Sequence, residues 1–178
     1  MARREAVPSP VPDEAPWLDA EEQRVYMALA SVLVQLPNSL DAQLSRSSGV
    51  SHYEYLVLAA LSMAPGRTLR MSQIAEFTDS TLSRLSNVAT RLEKRGWLTR
   101  SPDPDNGRYT LATLTDAGMA TVVAAAPGHV REVRRIVFDP LTATQQRQLL
   151  EICRRILGAV DPGGRPEDRI EAITAERS

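Results

Sequence analysis

The stretch Asp79 to Leu114, DSTLSRLSNVATRLEKRGWLTRSPDPDNGRYTLATL, leaves few architectures open. Asp79 or Ser80 can accept from the free N–H groups of a first helical turn, and Gly96 is the residue type that closes a helix in the left-handed region. The spacing therefore predicts a helix between them. Leu82, Leu85, Val88, Ala89 and Leu92 fall on one side. Steps of ~100° put Ser80, Ser83, Asn87, Arg91 and Lys94 on the other, flanked by Arg84 and Thr90. Hydroxyls, an amide and cations are the groups that contact base edges and phosphates in a major groove. A solvated surface helix carries the same pattern with no partner, so the residues after Gly96 decide between the two. Trp97–Arg100 is strand-like, 102–107 is a dense turn signal ending in Asn106-Gly107, and Arg108–Leu114 returns as a second strand. A helix followed by a hairpin with Arg108 at its tip is a wing beside a recognition helix. The candidate DNA contacts are thus Ser80, Thr81, Ser83, Arg84, Asn87, Arg91 and Lys94 on the helix, with Asn106 and Arg108 on the wing.

The flanking residues complete the unit. Ser51 or His52 opens a helix running to Met63, Arg67–Met71 reads as a third strand, and Ser72 opens a short helix carrying Ile74 and Ala75 inward. Phe77-Thr78 then turns into the recognition helix, which makes a helix-turn-helix. The predicted fold class is mainly α, an α+β winged helix-turn-helix over 51–114 with dimerisation helices at both ends. Residues 1–16, with prolines at 8, 10, 12 and 16, read as a disordered leader. Residues 17–50 carry Val25, Leu29, Val32, Leu33, Leu36, Leu40 and Leu44 at helical spacing after a cap-like Asp19-Ala20-Glu21-Glu22. Pro37 should kink or break that helix. Residues 115–160 hold two more helices, one capped by Thr115-Asp116 and interrupted or bent at Pro127-Gly128, the other opened by the capping box Thr142-Ala143-Thr144-Gln145. Residues 161–178 read as a flexible tail. The long apolar stripes at both ends are expected to pack around a two-fold axis in a homodimer, placing two recognition helices ~34 Å apart on a palindromic operator.

Composition narrows the function further. The net charge of −1 is no mark of a polycation, but six Lys/Arg against three acids between Leu82 and Thr110 give that segment +3. With Cys153 as the single cysteine there is no disulfide framework, and no apolar run approaches the ~18 residues that span a bilayer. A cytoplasmic chain is expected, since no secretory signal is visible. Only His52, His129 and Cys153 offer soft ligands, without metal spacing, and Cys153 reads as a small packing residue. No phosphate-cradling glycine loop or nucleophile elbow is present, so neither an enzyme nor a cofactor is expected. Tyr26, His52 and Tyr53 are candidates to line an effector pocket, or simply pack at a helix junction. The alternative to DNA binding is a winged-helix protein adaptor, which would not need cations at Arg84 and Arg108.

The run Leu82-Ser83-Arg84-Leu85, then Arg91 through Leu98, Arg100, Asp103-Pro104, Gly107-Arg108 and Leu114-Thr115-Asp116-Ala117-Gly118 resembles the MarR family of winged-helix regulators. The likeness extends from about Trp17 to Val160, with Phe138-Asp139-Pro140-Leu141-Thr142 before the last helix. It implies an obligate homodimer with intertwined terminal helices on a pseudo-palindromic operator, acting as a repressor and released by a small aromatic or phenolic ligand. Two residues depart from the pattern. Asn106 stands where the family carries a wing Asp, so an Asp–Arg pair orienting the wing becomes an amide contact unless Asp105 replaces it. Asn87 stands where close relatives often carry Arg, and Asn pairs naturally with adenine.

Overall fold

The computed structural model describes residues 16–161 and 166–174. It divides between Gln35 and Leu36 into two units. The first consists of the opening part of helix α1 (Ala20–Ser48), where Val25, Tyr26, Val32, Leu33 and Val34 are exposed. The second carries the end of α1 and everything after it. In order these are α2 (His52–Met63), a 3-10 turn, β1 (Thr68–Arg70), α3 (Met71–Phe77), α4 (Leu82–Lys94), β2 (Leu98–Pro102), β3 (Thr110–Leu114), α5 (Asp116–Val133), a π-helical turn (Arg134–Phe138), α6 (Ala143–Val160) and α7 (Pro166–Thr174). The fold is mostly helical with a small winged-helix sheet, as the sequence predicts, and the three antiparallel strands lie in the order β1-β3-β2.

Burial follows the helical periodicity. Leu44, Val57, Leu58, Leu61, Ile74, Leu85, Ala89, Leu92 and Leu98 lie in one core under the sheet. Around it β3 pairs on both sides, Leu69 opposite Ala112 and Arg100 opposite the same residue. Local chemistry sets the element ends. The Ser51 hydroxyl accepts from Glu54 N–H at 3.1 Å while the Glu54 carboxylate accepts from Ser51 N–H at 3.0 Å, a reciprocal cap for α2. Thr142 and Gln145 repeat the device at α6. Gly96 takes φ +71°, the left-handed turn that lets the chain leave α4 for β2. Gly118 is required for a different reason. A Cβ there would stand 2.1 Å from the Trp97 carbonyl oxygen, so α5 can start against the end of α4 only without a side chain. Thr115 completes the corner, donating its hydroxyl to Gly96 C=O at 2.7 Å and accepting from Gly118 N–H at 3.0 Å.

Several expectations need correction. α1 is not broken at Pro37, nor α5 at Pro127; both helices run through. Both prolines are exposed, so the carbonyl each leaves without a helical partner can turn to water. The irregularity after Gly128 comes instead as the π-helical turn Arg134–Phe138. Helix α4 is capped by Thr81, whose hydroxyl accepts from Arg84 N–H at 3.2 Å, rather than by Asp79 or Ser80. Asp79 takes φ +48° in the turn before it. Leu82, expected inward, is exposed, because one residue into the helix it still lies outside the packed face. The stretch 161–178 is not uniformly a tail: α7 packs on α2 and α3 and buries Ile173. The leader falls outside the described residues apart from Pro16. No helix among the described residues is long and apolar enough to cross a membrane.

Candidate nucleic-acid interface

Helix α4 presents Ser83, Arg84, Asn87, Arg91 and Lys94 on its exposed side, with Leu85, Val88, Ala89 and Leu92 buried behind them. Its N-terminal turn is held from α2. The Tyr53 hydroxyl lies 2.5 Å from Ser80 Oγ and 3.2 Å from Thr78 Oγ1, while Ser80 and Thr78 are 3.0 Å apart. Thr78 donates to Ile74 C=O at 2.7 Å. The Arg84 guanidinium lies over the Tyr53 ring, 4.5 Å from its centroid. Thr81, next in sequence, caps the helix. Two of the candidate contacts, Ser80 and Thr81, thus have their hydroxyls engaged in building the turn.

The cations separate into two groups. Arg91 Nε donates to the buried Glu54 carboxylate at 3.3 Å, and Arg95 reaches the same carboxylate at 3.9 Å and Gly49 C=O at 3.0 Å. Arg100 holds Glu93 at 2.7 Å and Thr90 at 3.1 Å, and that contact keeps the Glu93 carboxyl below its ordinary range. These three tie α4 to α2 and β2. Arg84, Lys94 and Arg108 form no ion pair among the described residues, so their charge faces solvent. Lys94 lies in the last turn of α4 and Arg108 in the wing loop.

The wing is built differently from a two-residue Asn-Gly hairpin. Pro102 pairs with Thr110, leaving a loop over 103–109. Among the described residues positive φ occurs at Gly49, Gly66, Arg67, Asp79 and Gly96, and not at Asn106 or Gly107. The organiser is Asp103, 1% exposed, whose burial no local pattern in the sequence shows. Its Oδ2 accepts from Arg70 Nε at 2.8 Å, and its Oδ1 accepts from Asp105 N–H at 3.1 Å. Arg70 also lies over the Tyr109 ring at 4.6 Å. Asn106 makes the amide contact expected of it, but to the backbone: Oδ1 accepts from Arg108 N–H at 3.2 Å. The acidic partner of the wing is therefore Asp103, not Asp105, and its arginine is Arg70. Between α4 and this wing opens a hollow of about 370 Å³ lined by Met71, Leu82, Ser86, Arg100, Arg108 and Tyr109.

The candidate effector residues lie in different settings. Tyr53 belongs to the α4 turn, and Tyr26 is an exposed residue of the N-terminal unit. His52 stacks at 5.7 Å from His129, which lies 4.6 Å from Tyr55. Burial lowers the pKa of His52 against the opposing pull of Asp41, lowers that of His129 with help from His52, and raises that of Tyr55. Cys153 is exposed on α6. No group of three His, Cys, Asp or Glu among the described residues could hold a metal ion.

A family model described as MarR family matches residues 48–108, the segment from α2 to the wing tip. The structure is similar to that of Sco3205, a MarR family transcriptional regulator from Streptomyces coelicolor solved in complex with DNA. The TM-score is 0.81 at 42% identity, covering 85% of this chain and 95% of that one. The HTH-type transcriptional regulator YdcH of Bacillus subtilis is 31% identical over 80 residues, 44% of this chain, which spans 54% of that relative's length. The transcriptional repressor MprA of Escherichia coli is 22% identical over 149 residues, covering 84% of this chain and 82% of the relative.

Proposed function

Since this chain belongs to the MarR family of transcriptional regulators, we propose that it acts in the cytoplasm as a homodimeric repressor on a pseudo-palindromic operator. The observation that carries this reading is the split among its cations. Arg91, Arg95 and Arg100 are tied down within the lobe, whereas Arg84, Lys94 and Arg108 stand beside the exposed Ser83 and Asn87 with no acidic partner among the described residues. Unpaired cations around a polar helix face fit a polyanion, and an adaptor for proteins has no use for them there. Ser83, Arg84 and Asn87 read base edges in the major groove, Lys94 and Arg108 hold backbone, and Ser80, Thr81, Arg91 and Asn106 shape the elements that present them.

The name of MprA as a repressor and the DNA complex of Sco3205 support the sign and the partner of this proposal. Dimerisation is supported by apolar residues left exposed on α6, including Leu149, Leu150, Ile152, Ile156, Leu157 and Val160, and separately on the first part of α1. Release by a small aromatic ligand is proposed at His52, the one candidate effector residue whose ring is neither committed to the α4 turn nor part of the N-terminal unit.

The test is selection of duplexes from a randomised library, followed by titration of the selected duplex at several salt concentrations. A palindromic consensus is expected. Arg84→Ala should cost about 1–3 kcal/mol on that duplex, and Lys94→Ala should mainly flatten the salt dependence. Enrichment of no duplex at low salt overturns the reading. Benzoate added to the complex is the probe for release.

A further inference from the structure

We propose that Tyr53, on α2 and outside the recognition helix, is a positioning residue for sequence readout: its ring is the platform that orients Arg84, and its hydroxyl locks the turn from which Arg84 projects. The inference rests on the DNA-binding reading above and names the residue on which that reading's specificity depends.

The hydroxyl geometry has one economical proton assignment. Thr78 spends its proton on Ile74 C=O at 2.7 Å, so its oxygen is left to accept. Ser80, 3.0 Å away, donates to it. Tyr53 then donates to Ser80 at 2.5 Å, which suits the more acidic phenol. The reverse order would send the Tyr53 proton to Thr78 over the longer 3.2 Å contact. A chain thus runs from Tyr53 through Ser80 and Thr78 to the last turn of α3, and it clamps the turn in which Asp79 takes φ +48°. No hydroxyl proton remains in it for a phosphate, which removes Ser80 from the donors available to DNA.

The same ring carries Arg84 on its face, 4.5 Å from guanidinium carbon to centroid. Donating its proton makes the phenol more electron-rich, which strengthens its attraction for a cation. Stacking covers one face of the guanidinium and leaves its N–H edge uncovered, and no acidic group among the described residues competes for that edge. A planar fork held edge-outward at the start of a recognition helix is the geometry that pairs with two acceptors of one base. Held by nothing, a long arginine would lose side-chain freedom on binding and would reach phosphates as readily as bases. Discrimination, more than affinity, is therefore what the platform supplies.

The experiment uses the full chain and the duplex selected by the wild type, with every single-base variant of it and a scrambled duplex. Tyr53→Leu should lower the preference for the selected over the scrambled duplex roughly tenfold, at the same base positions affected by Arg84→Ala, with the salt slope unchanged. The double variant should lose no more than Arg84→Ala alone. Tyr53→Phe, which keeps the ring and the fold, should retain discrimination within about twofold while melting at lower temperature. Additive losses in the double variant overturn the proposal, as does an equal loss on both duplexes or a Tyr53→Phe variant as indiscriminate as Arg84→Ala. Failure of the wild type to select any duplex is a different result: it removes the DNA-binding reading itself and the proposal with it.

Discussion

His52 and His129 are far apart in the chain, yet their rings meet at 5.7 Å with Tyr55 beside the second. Burial holds both imidazoles below their ordinary value, so the folded protein binds their protons less readily than the unfolded chain. Unfolding takes up protons below about pH 6.5, and stability falls as the pH drops from there towards the lowered folded values, while above 6.5 it is fully kept. Thermal melts at pH 7.5, 6.5 and 5.5 should show that decline, and His129→Phe should make it shallower. An unchanged melting temperature over this range would contradict the burial argument. Each histidine is visible in the sequence, but their meeting is not, since no local pattern encodes a contact between α2 and α5. The wing shows the same limit. Asn106 and Arg108 stand out as turn residues, whereas the burial of Asp103 rests on Arg70 arriving from β1 to pair with it, which no local pattern encodes.

At the scale of elements, local chemistry reads well at several helix ends, though at α4 the cap falls on Thr81 and not on Asp79 or Ser80. Ser51, Thr115 and Thr142 cap the helices they precede, and Gly96 closes α4. No break occurs at Pro37 or Pro127 because solvent on the exposed side can serve the freed carbonyls. α7 is missed for a different reason. A short, charged segment has little helical stability in isolation, and what holds it is the burial of Ile173 against α2 and α3. Ile173→Ala should therefore cost about 2–4 kcal/mol, and truncation after Asp161 at least as much, both measured by denaturant unfolding. A loss below about 0.5 kcal/mol for the point variant would show that α7 contributes nothing to the core.

For the molecule as a whole, the apolar stripes of α1 and α6 are legible in the sequence as faces in need of a partner, but amphipathic spacing says nothing of whose face covers them. In the single chain the first part of the α1 stripe and the α6 stripe stay exposed, while Leu40 and Leu44 at the end of α1 are buried. Light scattering at micromolar concentration should give twice the 19.6 kDa chain mass. Leu157→Glu should shift that mass towards the single chain and weaken binding to the palindrome far more than to a half-site. A single-chain mass for the wild type would refute the dimer.

Arg70 ends β1, caps α3 with its backbone through Gln73, and grips Asp103 of the wing loop. Frame, hinge pin and door leaf are here one fitting. The wing loop and the start of α3 are consequently tied to one residue, the side chain of Arg70 serving the loop and its backbone N–H the helix.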